Sequence, residues 1–544
     1  MNGGIPHILP DGQRFTRRRF LKVLSAIAGS GAAFQAMNAW GLAGMPGRMQ
    51  PPDLEGSGEG TSVAVLGGGP AGTTAAYELM NLGYDVTLFE ANNRLGGHVW
   101  TIKQGEESHE LGREPRVCEF DEGQYFEGGA WRIPSIHYAT LHYCREFNIP
   151  METHINYNHN AWVYMEDVDG PITDTKLRVH ELQADMRGHT AEILATAIDQ
   201  DQLDLDMTQE DRDMLIDYLV SEGLLSSTDL TYGPNNRRGY EQIPGGGDRP
   251  GIDTEPIPLD QLLPFAATAW GSAGGFLASV SSTFQQDTML QPVGGLGEIF
   301  NTGFRDALGD VVTYNAPVRE IRQGEDEVRI MYTDPDTGDE AEFTADYCVC
   351  AIPLPVLVQI PSDFSPDMQE AINGVPYSTV GKIGLQFGRR FWEEDEHIYG
   401  GLTLTNTDLG HIHYPTYGYL EPKGVVQGFY SFGSTATRVS AMDEADRHEW
   451  CLDEMSKIHP QVRDDYENAF SVFWHLERYF QGGSPSYDGR ARELYYDRML
   501  EPDGRIYLAG AHCSYTTGWI NGAVESSWVQ IEKLHERVQQ EQDD

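Results

Sequence analysis

Two rhythms of apolar and polar positions alternate along this chain. Short, nearly continuous apolar runs closed by glycine or an acid read as buried strands: SVAVLG from Ser62, DVTLFE ending at Glu90, YCVCAIPL from Tyr347 and RIYLAG from Arg505. Between the first two, TTAAYELMNLG spaces its apolar residues as a helix does, and VREIRQGEDEVRIMYT from Val318 is a further β-rich run. Residues 181–223 and 258–285 carry helical spacing, whereas TYGPNNRRGYEQIPGGGDRPG between them is dense in breakers and predicts a mobile loop or lid. From 375 to 480 the segments VGKIGLQF, HIHYPTYGYL and VVQGFYSF predict strands of a second sheet. No repeat at solenoid periods interrupts this order. The fold class is α/β with an added helical region.

The first strand runs into GGGPAG, where Gly67, Gly69 and Gly72 fit G-x-G-x-x-G ahead of the helix, and Glu90 closes the next strand. Such glycines allow a tight turn, close approach of backbone to a pyrophosphate and tight helix packing, while an acid about 20 residues on accepts ribose hydroxyls. In ANNRLGGHVWT, directly after Glu90, Arg94 and the pair Gly96 and Gly97 are expected to extend the phosphate surface. The alternative for the motif is a glycine-rich core turn. Far along the chain, GRIYLAGAHCSYTTGWINGAVESSW supplies another strand, glycine-rich turn and helix. A dinucleotide held from both ends of so long a chain points to FAD.

A chain of 544 residues with 40% apolar content exceeds what one core supports, so two or three domains are expected. The expected division gives a Rossmann-like FAD-binding domain assembled from 60–125, 290–350 and 500–535. A mixed-sheet substrate-binding domain comes from 126–180 and 351–499, and a helical insertion with the lid-like loop from 181–289. Lys and Arg total 38 against 83 Asp and Glu, a net charge of −45. That balance argues against nucleic acid and anionic membrane as partners and keeps the surface hydrated. Six cysteines are too few for a disulfide framework, no zinc spacing occurs, and no metal is expected; Cys348 and Cys350 alternate on a strand and are expected to be buried. Residues 1–50 stand apart. Thr16 to Lys22 (TRRRFLK) fits the twin-arginine export pattern, and VLSAIAGSGAAFQAM after it is too short and glycine-rich for a membrane span. Periplasmic or secreted location is expected, with a basic disordered tail as the alternative. A homodimer is the expected assembly.

Further pieces carry a resemblance: EGGAWRIP from Glu127, QPVGGLGEIF from Gln291, GKIGLQFGRRFWEED around Lys382 and GWINGAVES near the end. With the first glycine motif and YCVCAIPL, the chain after about Gly60 resembles the flavin amine oxidase superfamily, which includes monoamine oxidases and L-amino acid oxidases. The resemblance implies roles for individual residues. Arg132 aligns with the arginine that clamps the substrate carboxylate in L-amino acid oxidases, where a guanidinium fork makes two charge-assisted hydrogen bonds; the alternative is an ion pair with Glu127. Tyr414 resembles the tyrosine that shares this carboxylate, although His413 stands before it where an aromatic is expected. Gly518 and Trp519 resemble the pair that contacts the reacting amine, a carbonyl acceptor and an apolar wall. Lys382 resembles the lysine that holds a water near flavin N5. Cofactor contacts are implied at Gly67, Gly69, Ala71, Gly72, Glu90, Ala91, Arg94, Gly97, His98, Gly129, Ala130, Trp131, Arg132, Val318, Trp474, Gly510, Ala511, Gly518, Trp519 and Ile520. His98 replaces the usual arginine and Ala511 the usual acid; His98 is still expected to donate to a phosphate. Ser484 stands where monoamine oxidases carry the flavin-linked cysteine, which implies noncovalent FAD.

The implied reaction is oxidative deamination of an L-amino acid. Hydride leaves the α-carbon for flavin N5, the imino acid hydrolyses to a 2-oxo acid and ammonia, and O2 reoxidises the flavin to give hydrogen peroxide. Rival readings are an amine oxidase or amino acid 2-monooxygenase of the same fold, or a non-catalytic flavin-binding protein, since fold alone does not decide among them. A sensor needs no substrate clamp, so the set Arg132, Lys382 and Trp519 argues against the last.

Overall fold

A computed structural model describes residues 49–203, 207–272, 277 and 282–543; the twin-arginine segment lies outside the described residues. A five-stranded parallel sheet runs in the order Val312–Thr313, Asp85–Phe89, Ser62–Leu66, Tyr347–Cys350, Ile506–Leu508. Its central strands are apolar throughout because both faces are covered. Val63, Val65 and Val349 point to the side where the helices Pro70–Asn81 and Ile520–Asp543 pack, with Trp528 fully buried between them. Ala64, Leu66, Cys348 and Cys350 point to the other side and meet Leu354, Met368 and Ile330. The two cysteines thus share one face as small apolar groups, as their spacing predicted. An antiparallel sheet of Val318–Gln323, Val328–Thr333 and Glu340–Ala345 flanks this body. The last helix brings residues remote in sequence onto the first glycine turn: Ser527 Oγ donates to Ala71 O at 2.7 Å.

A seven-stranded mixed sheet forms the second layer, with Val380–Phe387 set between Tyr466–Phe473 and Gly424–Phe432. All eight residues of Val380–Phe387 are buried, Lys382 included. The helices Val179–Asp199, Gln209–Gly223 and Leu259–Ser272 supply the helical region, the first two packing through Ala191, Ala195 and Leu219. Two expectations change here. Thr288–Pro292 pairs with Met151–Ile155, so the boundary expected at 290 falls inside a strand shared with the preceding segment. The breaker-rich loop 231–251 is tethered at its start, where Tyr232 Oη and Arg238 Nε both donate to the buried carboxylate of Asp185, at 2.9 and 3.0 Å. None of its residues lines the cavity described below.

The junction of first strand and first helix leaves no space for a side chain. A Cβ on Gly72 would sit 1.8 Å from Gly67 O, while Gly67 itself has φ +99°, which favours glycine. Gly72→Ala must open the turn or shift the helix, and is expected to lower stability by roughly 2–4 kcal/mol, seen as a drop in melting temperature together with loss of bound flavin.

Candidate active site

The two layers enclose a cavity of about 720 Å³ that runs from the glycine turn to the central strand of the mixed sheet. Most of the anticipated residues line it. Around the glycine turn stand Gly67, Gly69, Ala71, Glu90, Ala91, Gly97 and His98, joined by Val318; the rest of the lining includes Gly129 and Trp474, which lie against His98, and Ala130, Trp131, Arg132, Lys382, Gly510, Ala511, Gly518, Trp519 and Ile520. Glu90 is buried, with its carboxylate accepting from Gly68 N at 2.6 Å and Asn92 N at 2.7 Å. Gly69 caps the helix Pro70–Asn81, so the backbone amides of the first turn face the cavity. Gly97 abuts it so closely that a Cβ would lie 2.9 Å from Gly69 Cα, and a Cβ on Gly129 would lie 1.6 Å from His98 O. At both positions a side chain would collide with backbone, so glycine is what lets these segments approach so closely.

At the far end the chemistry is cationic. Arg132 is 6% exposed, and its guanidinium lies 4.1 Å from the centroid of Trp131 and 5.6 Å from that of Trp519. One nitrogen donates to Gln285 Oε1 at 2.9 Å, whereas Nε and Nη1 have no hydrogen-bond partner. The expected alternative, an ion pair with Glu127, is not formed: that carboxylate accepts from Leu296 N at 2.7 Å and from Thr101 Oγ1 at 2.9 Å. Burial lowers Arg132 to about 9. Lys382 donates to Gly129 O at 2.6 Å and Glu127 O at 3.0 Å, with its ammonium 4.8 Å from the Trp131 ring. Burial lowers it to about 7, against the pull of Glu127.

Four anticipated residues, Gly72, Gly96, Arg94 and Tyr414, do not reach the cavity. Gly72 serves the turn behind it. Arg94 donates to Gly97 O at 2.9 Å and lies 4.6 Å over Trp100, bracing the second glycine pair instead of presenting its charge. Tyr414 belongs to a separate core: its hydroxyl bonds to Thr403 Oγ1 and His459 Nε2, both at 2.7 Å. The reason is strand alternation. In His411–Tyr414 the histidines face Trp131, with His413 at 4.5 Å between ring centroids, and so Tyr414 faces away. Of the tyrosines that line the cavity, Tyr377, Tyr430 and Tyr479, the one beside Lys382 and Arg132 is Tyr430. It is the cross-strand partner of Lys382, whose ammonium is 4.7 Å from its ring, and Arg132 is the charge that acts on its phenol. Pairing VGKIGLQF with VVQGFYSF would have exposed it in the sequence. His137 was also missed; it lines the cavity with its ring 4.8 Å from Trp519, edge to face. His98 is not the expected phosphate donor. Its Nε2 lies 2.8 Å from Gly482 O, an acceptor, so Nδ1 bears no proton in the neutral ring, and burial holds His98 down to about 4.

A glycine turn between strand and helix, a buried acid at the end of the next strand and a cation-lined far end suit an FAD-dependent oxidoreductase, and the comparisons agree. The model of the flavin containing amine oxidoreductases matches residues 70–529, and the chain belongs to this family. It is 25% identical to the L-amino-acid oxidase of Vipera ammodytes ammodytes over 489 residues, covering 85% of this chain and 90% of that oxidase. It is 28% identical to the flavin-dependent L-tryptophan oxidase RebO of Lentzea aerocolonigenes over 499 residues, covering 87% and 97%. Among solved structures, cyclohexylamine oxidase from Brevibacterium oxydans IH-35A superposes with a TM-score of 0.55 at 17% identity, covering 89% of this chain and 100% of that one, which speaks to the fold. The protein is an FAD-dependent oxidase, and its FAD is noncovalent: all six cysteines are free and buried, and none lines the cavity.

Burial drives His137, His154 and His411 down to about 3, and His98 and His512 to about 4. Unfolded histidines titrate near ~6.5, so as pH falls the unfolded chain binds protons first and stability is lost progressively between about 6.5 and 3, at up to ~1.4 kcal/mol per pH unit per histidine. Melting temperature is expected to fall steeply from pH 7 to pH 5. His154→Asn, which keeps an amide donor toward Gln291, should flatten that limb.

Proposed function

We propose that this protein is an L-amino acid oxidase, converting L-amino acids with O2 and water to 2-oxo acids, ammonia and hydrogen peroxide. Arg132 carries the reading. A guanidinium held between two indoles, without a carboxylate partner among the described residues, is suited to an anionic substrate group, and a simple amine has none. The relatives named as L-amino-acid and L-tryptophan oxidases support it.

FAD, when bound, would supply the two-electron redox chemistry that links the substrate to oxygen. The chain's own residues orient the substrate. Arg132 and the Tyr430 hydroxyl bind the carboxylate, the Gly518 carbonyl accepts from the amine, and Trp519 walls the α-carbon. Lys382 has three donors and uses two on carbonyls, which leaves one for a water able to attack the imine. With Lys382 near 7, its Nζ can hold or release a proton around neutral pH. Apart from Glu90 at the ribose end, the cavity lining carries no carboxylate, which favours apolar or neutral side chains over cationic ones. The twin-arginine segment supports export of the folded, flavin-loaded enzyme.

Anaerobic addition of L-amino acids should bleach the flavin, D-amino acids and the matching decarboxylated amines should not, and the aerobic product should be a 2-oxo acid and not an amide. Arg132→Ala is expected to raise KM about 100-fold, Arg132→Lys less, and Tyr430→Phe by ~5–20-fold. Equal kinetics in the two Arg132 variants and the parent would refute the clamp. Tyr414→Phe, which leaves Thr403 and His459 short of a partner, should show in melting temperature and leave KM alone.

A further inference from the structure

The diphosphate of FAD brings negative charge to the glycine end of the cavity, and the glycine segment itself has no free cation to meet it. Arg94 is held on Gly97 O behind the turn. His98 is neutral, its one proton directed at Gly482 O and its ring packed between Trp474 and Phe480 at 4.6 and 4.7 Å. The helix N-terminus at Gly69 offers only a partial charge, about half an elementary unit.

Four cations line the cavity: Arg132, Arg319, Lys382 and Arg478. Arg132 and Lys382 are fixed around Trp131. Arg319 lies beyond Ala316, whose amide donates to Glu90 O at 2.9 Å, and so belongs to the ribose end; its Nε donates to Thr333 Oγ1 at 2.8 Å. Arg478 remains. Neighbouring segments link it to the helix N-terminus: Gly69 lies against Gly97, His98 follows in sequence, its ring packs on Phe480, and Arg478, an exposed residue of the cavity lining, stands two positions before Phe480 in sequence. Its backbone is anchored, with Arg478 N donating to His109 O at 3.0 Å. The neighbouring acid is turned away, since Glu477 accepts from Ser108 Oγ at 2.5 Å and His109 N at 3.2 Å. Among the described residues Arg478 forms no ion pair, in a chain where 83 acids surround 38 basic residues.

We propose that Arg478 is the residue that meets the FAD diphosphate, supplying the charge that His98 does not carry. The test uses apoprotein of the full chain, titrated with FAD and followed by quenching of flavin fluorescence. Arg478→Ala is expected to weaken FAD about 10–100-fold, the worth of a charge-assisted contact, with Arg478→Lys recovering most of the loss. Competition separates phosphate recognition from general damage: ADP should lose the same factor as FAD in Arg478→Ala, while adenosine binds as it does to the parent. FAD affinity within twofold of the parent in Arg478→Ala overturns the assignment, as does an equal loss for ADP and adenosine. If Arg478→Ala does not fold, Arg478→Gln and Arg478→Lys carry the same comparison: FAD and ADP weaker in Gln than in Lys supports the assignment, and equal affinities overturn it.

Discussion

Two positive charges are buried in this protein among aromatic rings and carbonyls instead of carboxylates, and the form of the site follows from that constraint. Removing an unpaired ammonium or guanidinium from water is costly by several kcal/mol unless the surroundings replace the lost hydration. Trp131 does much of this by lying against both, 4.1 Å from the Arg132 guanidinium and 4.8 Å from Lys382 Nζ. Faces of Trp519 and Tyr430 and the carbonyls of Glu127 and Gly129 supply more. An anion entering the site completes a shell that the protein has built only in part.

Such a shell needs rigid support, and the sheets provide it. Trp131 is backed by neutral histidines, with His413 and His411 at 4.5 and 5.6 Å between ring centroids. A protonated histidine there would add a third cation, and burial together with Arg132 and Lys382 opposes it. On the other side, Glu127 holds the turn 294–297 by accepting from Leu296 N, so the segment that carries Arg132 is fixed to the turn that follows the strand Thr288–Pro292. The same acid keeps the lysine in play electrostatically without pairing to it directly.

Most of the parallel sheet was legible because its signals are local: a glycine turn between a strand and a helix, and an acid at the end of the next strand. The seven-stranded sheet was legible only as strands. Its register decides which of its tyrosines faces the cavity, and register depends on partners remote in sequence. Tyr414 and Tyr430 look alike as aromatic residues in apolar strands, and only the pairing of Lys382 with Tyr430 separates them. Arg94 misled for a similar reason. A guanidinium beside a glycine pair is equally suited to holding the turn or facing a ligand, and the choice is made by Trp100 and Gly97 O. The loop 231–251 carries breakers that predict freedom, yet Asp185, hidden inside a helix, captures two of its side chains.

Charge is distributed by depth. The chain carries −45 overall, while the cavity lining holds four Lys or Arg residues and a single carboxylate, Glu90. Fields from exposed charges fade over roughly 10 Å in physiological salt, so the acidic exterior acts at the mouth and the cations act inside. For the amino acid substrate proposed above, a zwitterion crosses such a boundary at little electrostatic cost, because its net charge is near zero, and would meet a strong local field only when its carboxylate reached Arg132. An amino acid with a second carboxylate meets repulsion first. Selection by charge therefore begins outside the pocket, and selection by shape is left to the aromatic walls around Trp519.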